Sequence, residues 1–256
     1  MTTATQTTAQ TRGRVRAERG AKRVRAYLGS DLVVDTIRPL LVWEGSPYPA
    51  YYFDANDILA ELVQSGSQAH SPSRGDADIL TVKTQTRKAP GAALRYQSSS
   101  LREIEGLIRL DWDAMDAWFE EDEQVFTHPR DPYTRVDMLH SSRHVRVEVD
   151  GITVAESSKP TLLFETGLPT RYYLPKPHVR MERLIHTDSE SHCPYKGQAQ
   201  YWSVRTDEGV HEELVWGYRT PLPESQKIAG LVSFYNEKLD IYVDGVLQDR
   251  PVTRFS

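Results

Sequence analysis

The sequence has a single cysteine, Cys193, among 256 residues. That count excludes an internal disulfide and any multi-cysteine zinc cage, and it fits a reducing compartment, so the cytoplasm is the expected location. Long hydrophobic runs are missing as well. The longest, such as Pro39 to Trp43, reach about five residues, against the roughly 20 that a membrane helix needs, so no membrane association is expected. There is no excess of positive charge: 31 Lys and Arg stand against 36 Asp and Glu, a formal net charge of −5, which argues against an obligate nucleic-acid binder. No Gly-rich phosphate loop and no G-x-S-x-G elbow occurs. The stretch Asp111 to Glu123 holds seven carboxylates in 13 residues but lacks the glycine-turn spacing of a calcium loop, and reads as solvated surface. His178, His186, His192 and His211 follow no ligand spacing, so neither a metal nor another cofactor is expected. What is present, 39% hydrophobic and 26% charged residues, is the composition of a globular chain with a real core.

Residues 1–20 contain no bulky hydrophobe except Met1 and Val15, too little to offset chain entropy. They read as a disordered tail, made basic by Arg12, Arg14, Arg16 and Arg19, and with no apolar segment a secretory signal is not expected.

The rest of the chain repeats itself. Val24 to Tyr52 lies over Val145 to Tyr173 at a fixed offset of 145 − 24 = 121. Val24, Arg25, Val33, Pro39, Leu41, Glu44, Tyr51 and Tyr52 recur as Val145, Arg146, Val154, Pro160, Leu162, Glu165, Tyr172 and Tyr173. After one inserted residue, His70, Pro72, Gly75, Ala77, Val82 and Tyr96 fall on His192, Pro194, Gly197, Ala199, Val204 and Tyr218, and later Gly106-Leu107 falls on Gly230-Leu231 and Asp116 on Asp240. Self-similarity of this kind marks a duplicated unit. The expected organisation is repeat 1 over 21–124, a linker over 125–142 with Pro129 and Pro132, repeat 2 over 143–247, and a tail over 248–256.

Each copy reads mainly as strand. Arg143 to Val149 alternates polar and apolar residues, Asp150-Gly151 supplies a hairpin turn, and Ile152 to Ala155 begins the return strand. Thr161 to Glu165, Thr170 to Leu174, Gln198 to Arg205, Glu213 to Tyr218, Gly230 to Tyr235 and Leu239 to Val243 are rich in β-branched and aromatic residues and read the same way. Helical signals are short, at Pro223 to Ile228 and at the capping pattern of Ser100 to Glu103. Trp112, Met115, Trp118 and Phe119 follow helical spacing, yet the aligned Leu239 to Val243 alternates as a strand, so the repeat favours a strand there.

The residues Arg171-Tyr172-Tyr173-Leu174-Pro175, His192-Cys193-Pro194-Tyr195-Lys196-Gly197, Tyr201-Trp202 and Ile228-Ala229-Gly230 resemble the DUF427 domain family. Trp118 to Glu123, His128 to Tyr133 and Ser141 to His144 resemble its tandem, two-domain bacterial members. The resemblance implies two copies of a compact β-sandwich similar to the Mss4-like or β-tent arrangement, each with one short helix. It implies little about activity, because the family is one of unknown function. Its occasional nucleotidyltransferase label is not matched by a Gly-Ser followed by paired Asp, and the Cys-x-x-Cys pairs of zinc-binding β-tent relatives are missing.

Copy two is the richer in reactive groups. It has His192-Cys193-Pro194-Tyr195-Lys196 where copy one has His70-Ser71-Pro72-Ser73-Arg74. A nearby cation favours the nucleophilic thiolate, so Cys193 with Lys196 and His192, aided by His186, forms one candidate catalytic group; a buried, inert thiol is the other reading. Arg171, Arg180 and Trp202, which replace Ala50, Leu59 and Leu80, join Tyr173 and Tyr218 as candidate ligand-binding residues, although the two tyrosines recur in copy one and read first as packing or fold-specific hydrogen bonds. Glu44 and Glu165 recur together; a shared general base is one reading, and the expected one is that they answer the shared Arg25 and Arg146 or cap a backbone turn. Three functions follow: a small-metabolite enzyme using Cys193, a non-catalytic small-molecule binding module, or a structural and interaction protein with repeat 1 as internal partner. A monomer with a pseudo-two-fold axis is expected, since covalent duplication replaces a homodimer.

Overall fold

A computed structural model describes residues 15–256, so Arg12 and Arg14 of the basic segment lie outside the described residues. The chain divides into two units between Asp131 and Pro132. In the N-terminal unit the strands are β1 (Arg16–Arg19), β2 (Val24–Leu28), β3 (Asp31–Thr36), β4 (Leu40–Trp43), β5 (Ala50–Phe53), β6 (Glu61–Ser71), β7 (Gly75–Lys83), β8 (Lys88–Tyr96), β9 (Ile108–Leu110), β10 (Ala117–Glu120) and β11 (Glu123–Val125). The C-terminal unit has β12 (Val136–His140), β13 (Val145–Val149), β14 (Ile152–Ser157), β15 (Thr161–Glu165), β16 (Arg171–Leu174), β17 (Leu184–Cys193), β18 (Gly197–Arg205), β19 (Val210–Gly217), β20 (Val232–Phe234), β21 (Asp240–Val243) and β22 (Val246–Leu247).

Each unit contains a seven-stranded and a four-stranded sheet. The large sheets run β1-β4-β5-β9-β8-β7-β6 and β12-β15-β16-β20-β19-β18-β17; the small ones run β11-β10-β2-β3 and β14-β13-β21-β22. Strand by strand the two units match, which makes the chain a mainly β tandem of two sandwiches. Irregularities repeat too: ladder shifts at Ala26/Tyr27, Gln64/Gln68 and Leu80/Val82 recur at Val147/Glu148, His186/Glu190 and Trp202/Val204. Bulges fix local bend and twist, so their recurrence shows the same sheet shape built twice.

The main core lies between the sheets. In the C-terminal unit Val145, Val147 and Ile241 of the small sheet meet Leu174, Trp202, Val204, Val215 and Phe234 of the large one. The outer face of the large sheet is apolar as well, covered by the segment that includes Pro223–Ile228, with Leu163, Tyr173, Trp216, Tyr218 and Ile228 buried together. Burial on both faces explains why β4 reads as an unbroken apolar run, Leu40-Leu41-Val42-Trp43, and why Leu162 and Leu163 are adjacent in β15, where the next residue, Phe164, is exposed. The Asp150-Gly151 and Asp244-Gly245 turns both hold positive φ at each residue, the geometry a two-residue hairpin requires.

Several expectations are corrected. Arg16–Arg19 is an edge strand in the segment expected to be disordered, and Val136–His140 is a strand inside the expected linker. The two occupy the same place in their units: Arg16 pairs with Trp43 and Asp137 with Phe164, again an offset of 121. Backbone pairing to a neighbouring strand holds them, a source of order that composition does not display. The expected helices are 3-10 turns, Arg102–Ile104 and Pro223–Ile228, and three-residue turns at Ala55–Asp57, Lys176–His178 and Met181–Arg183 accompany them. The tryptophan-rich segment divides, with Trp112 to Met115 forming a turn and Ala117–Glu120 a strand. Strand pairing puts Ala117 opposite Tyr27 and Asp240 opposite Glu148, so Asp240 corresponds to Ala117 rather than to Asp116. Within the acidic stretch Glu120 is buried and accepts hydrogen bonds from Tyr51 Oη at 2.8 Å and Arg130 N at 2.9 Å.

Candidate functional site

Residue 193 ends β17, and the turn Pro194-Tyr195-Lys196 carries the chain into β18, where Gly197 pairs with Cys193. Gly197 has φ +97°, a conformation glycine adopts without a Cβ penalty, which lets the turn close. Side chains alternate across β18. Ala199 and Tyr201 point to the outer face with Cys193, whereas Trp202 and Val204 point into the core between the sheets.

On the outer face the buried Lys196 ammonium donates to the Glu165 carboxylate, the two side chains being 9% and 8% exposed. A charge pair this dry survives only because each partner compensates the other. Tyr173 lies alongside, its hydroxyl accepting from Trp216 Nε1 at 3.1 Å. Tyr218 is buried in the same cluster and Cys193 is half-buried at its margin. Farther along, Arg171 donates to both oxygens of Glu237 and to Asn236 Oδ1, each at 2.6 Å. Its guanidinium also faces the rings of Trp216 and Phe255, 5.4 and 5.8 Å from their centroids, and Thr253 Oγ1 donates to Glu237 at 2.6 Å. The outer face thus carries two buried ion pairs. Tyr201 and Tyr235 lie half-buried beside them, and Tyr201 Oη meets Ser191 Oγ at 2.6 Å.

The N-terminal unit repeats the first of these pairs. Glu44 is bound by Arg74, the counterpart of Lys196, by Arg109 at 3.3 Å, and by the Tyr52 hydroxyl at 2.5 Å. Glu44 and Glu165 therefore do not answer Arg25 and Arg146, which pair instead with Asp122 and Glu148. The repeated carboxylate lies at the end of β4 or β15, facing the large sheet's outer side, while both arginines belong to small-sheet strands.

Among the residues expected to form a site, the structure brings Cys193, Lys196, Tyr173 and Tyr218 together and places Arg171 on the same face. It does not bring in Trp202, a core residue that stacks edge-on to His186 at 5.5 Å, or Arg180, which is exposed at the start of the 3-10 turn Met181–Arg183. His192 is exposed on the hairpin. Sequence reasoning did not single out Glu237, Tyr235 or Asn236. The Arg171/Ala50 difference was the available signal, because a cation acquired in one copy calls for a new anion. His178 bonds Ser157 and His211 bonds Asp150, and no group of three or more His, Cys, Asp or Glu with metal-binding geometry occurs among the described residues.

Burial pushes the Tyr173, Tyr218 and Tyr235 hydroxyls up from the ordinary tyrosine range, and Tyr52 rises through burial and the adjoining Glu44 carboxylate. In the unfolded chain these groups ionise near pH 10, so above that pH the unfolded state releases protons first and stability falls as pH rises. A spectrophotometric titration is expected to show a tyrosine fraction that ionises only together with unfolding; full ionisation of all tyrosines with the near-UV circular dichroism intact would contradict the burial described.

Two like β-sandwiches, each with a carboxylate–cation pair on the outer face of its large sheet, define a tandem-repeat protein. The profile of a family described as a domain of unknown function, DUF427, matches residues 16–121 and 137–245, and the chain belongs to that family. Both matched segments begin at the first strands of the two units. No curated protein matches the chain. No helix among the described residues is long and apolar enough to cross a membrane.

Proposed function

We propose that this protein is a small-molecule binding module, with its site on the outer face of the C-terminal unit around Cys193, Tyr201 and Tyr235, and that it does not use Cys193 as a nucleophile. The observation carrying this reading is the engagement of Lys196. The amine that would activate the thiol is committed to Glu165, and the N-terminal unit keeps the same pair, as Glu44 and Arg74, with Ser71 in place of the cysteine. Half-buried tyrosine hydroxyls over a rigid apolar and ion-paired floor suit recognition of a polar organic compound. The two packed sheets of each unit agree with the Mss4-like, β-tent arrangement that the family resemblance implies, and a monomeric cytoplasmic protein is part of the same reading.

Native mass spectrometry after incubation with a cell-extract metabolite fraction tests it. The expected result is an adduct that forms equally on the wild type and on Cys193→Ser and is released on denaturation. An adduct that survives denaturation and is lost in Cys193→Ser would establish the covalent alternative, with Lys196 and His192 as the groups that handle its protons. No adduct on either protein would leave the structural role of the repeats as the better account.

A further inference from the structure

Because the two units share register, a side chain present in one and missing from the other marks a volume that something else can fill. Arg171 corresponds to Ala50. The correspondence carries on through the turn after β9 and β20: Asp111 N bonds Ala92 O as Tyr235 N bonds Leu214 O, and Met115 and Leu239 occupy like positions in the two cores. Between Asp111/Tyr235 and Ala117/Asp240 the N-terminal unit has one residue more, so Asp113 falls at the place of Asn236 and Glu237, the two residues that hold the Arg171 guanidinium.

In the N-terminal unit no arginine occupies that place. A cavity of about 200 Å³ is found instead, lined among others by Ala50, Trp112, Trp118, Tyr48 and Asp113. Trp112 and Trp118 stack at 4.6 Å, and Tyr48 stacks on His128 at 3.7 Å, so the aromatic lining is held in place by ring-on-ring packing. One cation also lines the cavity, Arg109, which shares the Glu44 carboxylate with Arg74. Asp111 and Asp113 are exposed at the cavity and form no ion pair among the described residues. An aromatic cavity with an uncommitted carboxylate attracts a planar cation through the ring faces and a charge-assisted hydrogen bond together.

We propose that this N-terminal cavity is a binding site for a small planar cation, a guanidinium or amidinium compound, which takes the place Arg171 fills in the C-terminal unit, with Asp113 as its counter-ion. The site is separate from the one around Cys193 and does not depend on it.

Isothermal titration calorimetry of the full chain with benzamidine, and with benzoate as the anion of the same shape, tests this directly. Saturable binding of benzamidine at one site per chain is expected, with benzoate at least tenfold weaker. Asp113→Asn, a change at an exposed position, is expected to weaken benzamidine at least tenfold while leaving the thermal midpoint unchanged. Ala50→Arg is expected to abolish binding by supplying the guanidinium internally. No saturable binding to the wild type, equal binding of benzoate, or undiminished affinity in Asp113→Asn would each overturn the proposal, the last of them even if Ala50→Arg fails to fold.

Discussion

Replacing Lys196 with methionine is expected to destabilise the C-terminal unit by about 3–5 kcal/mol, the cost of leaving a buried charge without its partner. Glu165 would keep its carboxylate among Leu163, Tyr173 and Tyr218 with the neutralising ammonium gone. The same substitution combined with Glu165→Gln removes both charges and is expected to recover most of the loss, since an uncharged pair of similar volume is often neutral or stabilising. Chemical denaturation of the two single variants and the double variant closes the cycle. A loss below about 1 kcal/mol for Lys196→Met would place the pair among solvent-screened surface contacts, contrary to the 9% and 8% exposure of its side chains.

Arg171→Ala should have an effect of similar size, about 3–5 kcal/mol. Its partner Glu237 is fully buried at the side chain, and without Arg171 it keeps the Thr253 hydroxyl and a backbone hydrogen bond but loses its counter-charge. In the intact protein burial pushes the Glu237 carboxyl up, but the hydrogen bonds from Arg171 and Thr253 outweigh this and hold it below the usual carboxylate range. A carboxylate lowered by folding contributes stability above its unfolded pKa, and that contribution is lost as pH falls through its folded value. The acid limb of the stability curve is therefore expected to be steeper in the wild type than in Arg171→Ala; parallel acid limbs would show that the pair is not thermodynamically coupled to folding. Loss of Arg171 should also loosen residues 251–256, because Phe255 lies against its guanidinium and Thr253 bonds the same glutamate, and amide hydrogen exchange there reports it.

Much of the fold was legible because duplication doubles the evidence. Alternation in Arg143 to Val149 and the Asp-Gly turns identified the small sheet's hairpins, and the identities at fixed offset identified two units. Strands held by ladder hydrogen bonds alone were not legible. Glu61–Ser71 and Leu184–Cys193 are mostly polar edge strands with exposed side chains, and they carry no hydrophobic period. Arg16–Arg19 and Val136–His140 escaped for the same reason, being first strands whose residues differ between the copies. At the site, the shared Glu44/Glu165 was visible but its partner was not. Arg25 and Arg146 recur just as faithfully, and only the three-dimensional placement of β4 and β15 beside the hairpin turns shows that Arg74 and Lys196 take that role. The Arg-for-Lys exchange between the copies hid a shared ion pair behind what looked like a difference in reactive groups.

The most direct test of the account is the alkylation rate of Cys193 by iodoacetamide at neutral pH in the wild type and in the double variant Glu165→Gln with Lys196→Met. If Lys196 serves the buried pair and not the thiol, the double variant keeps its fold and its Cys193 reacts within about twofold of the wild-type rate, far from the effect of removing an activating cation. A fall of tenfold or more in a variant with an unchanged thermal midpoint would contradict the account and make Cys193 and Lys196 a nucleophile and its activator.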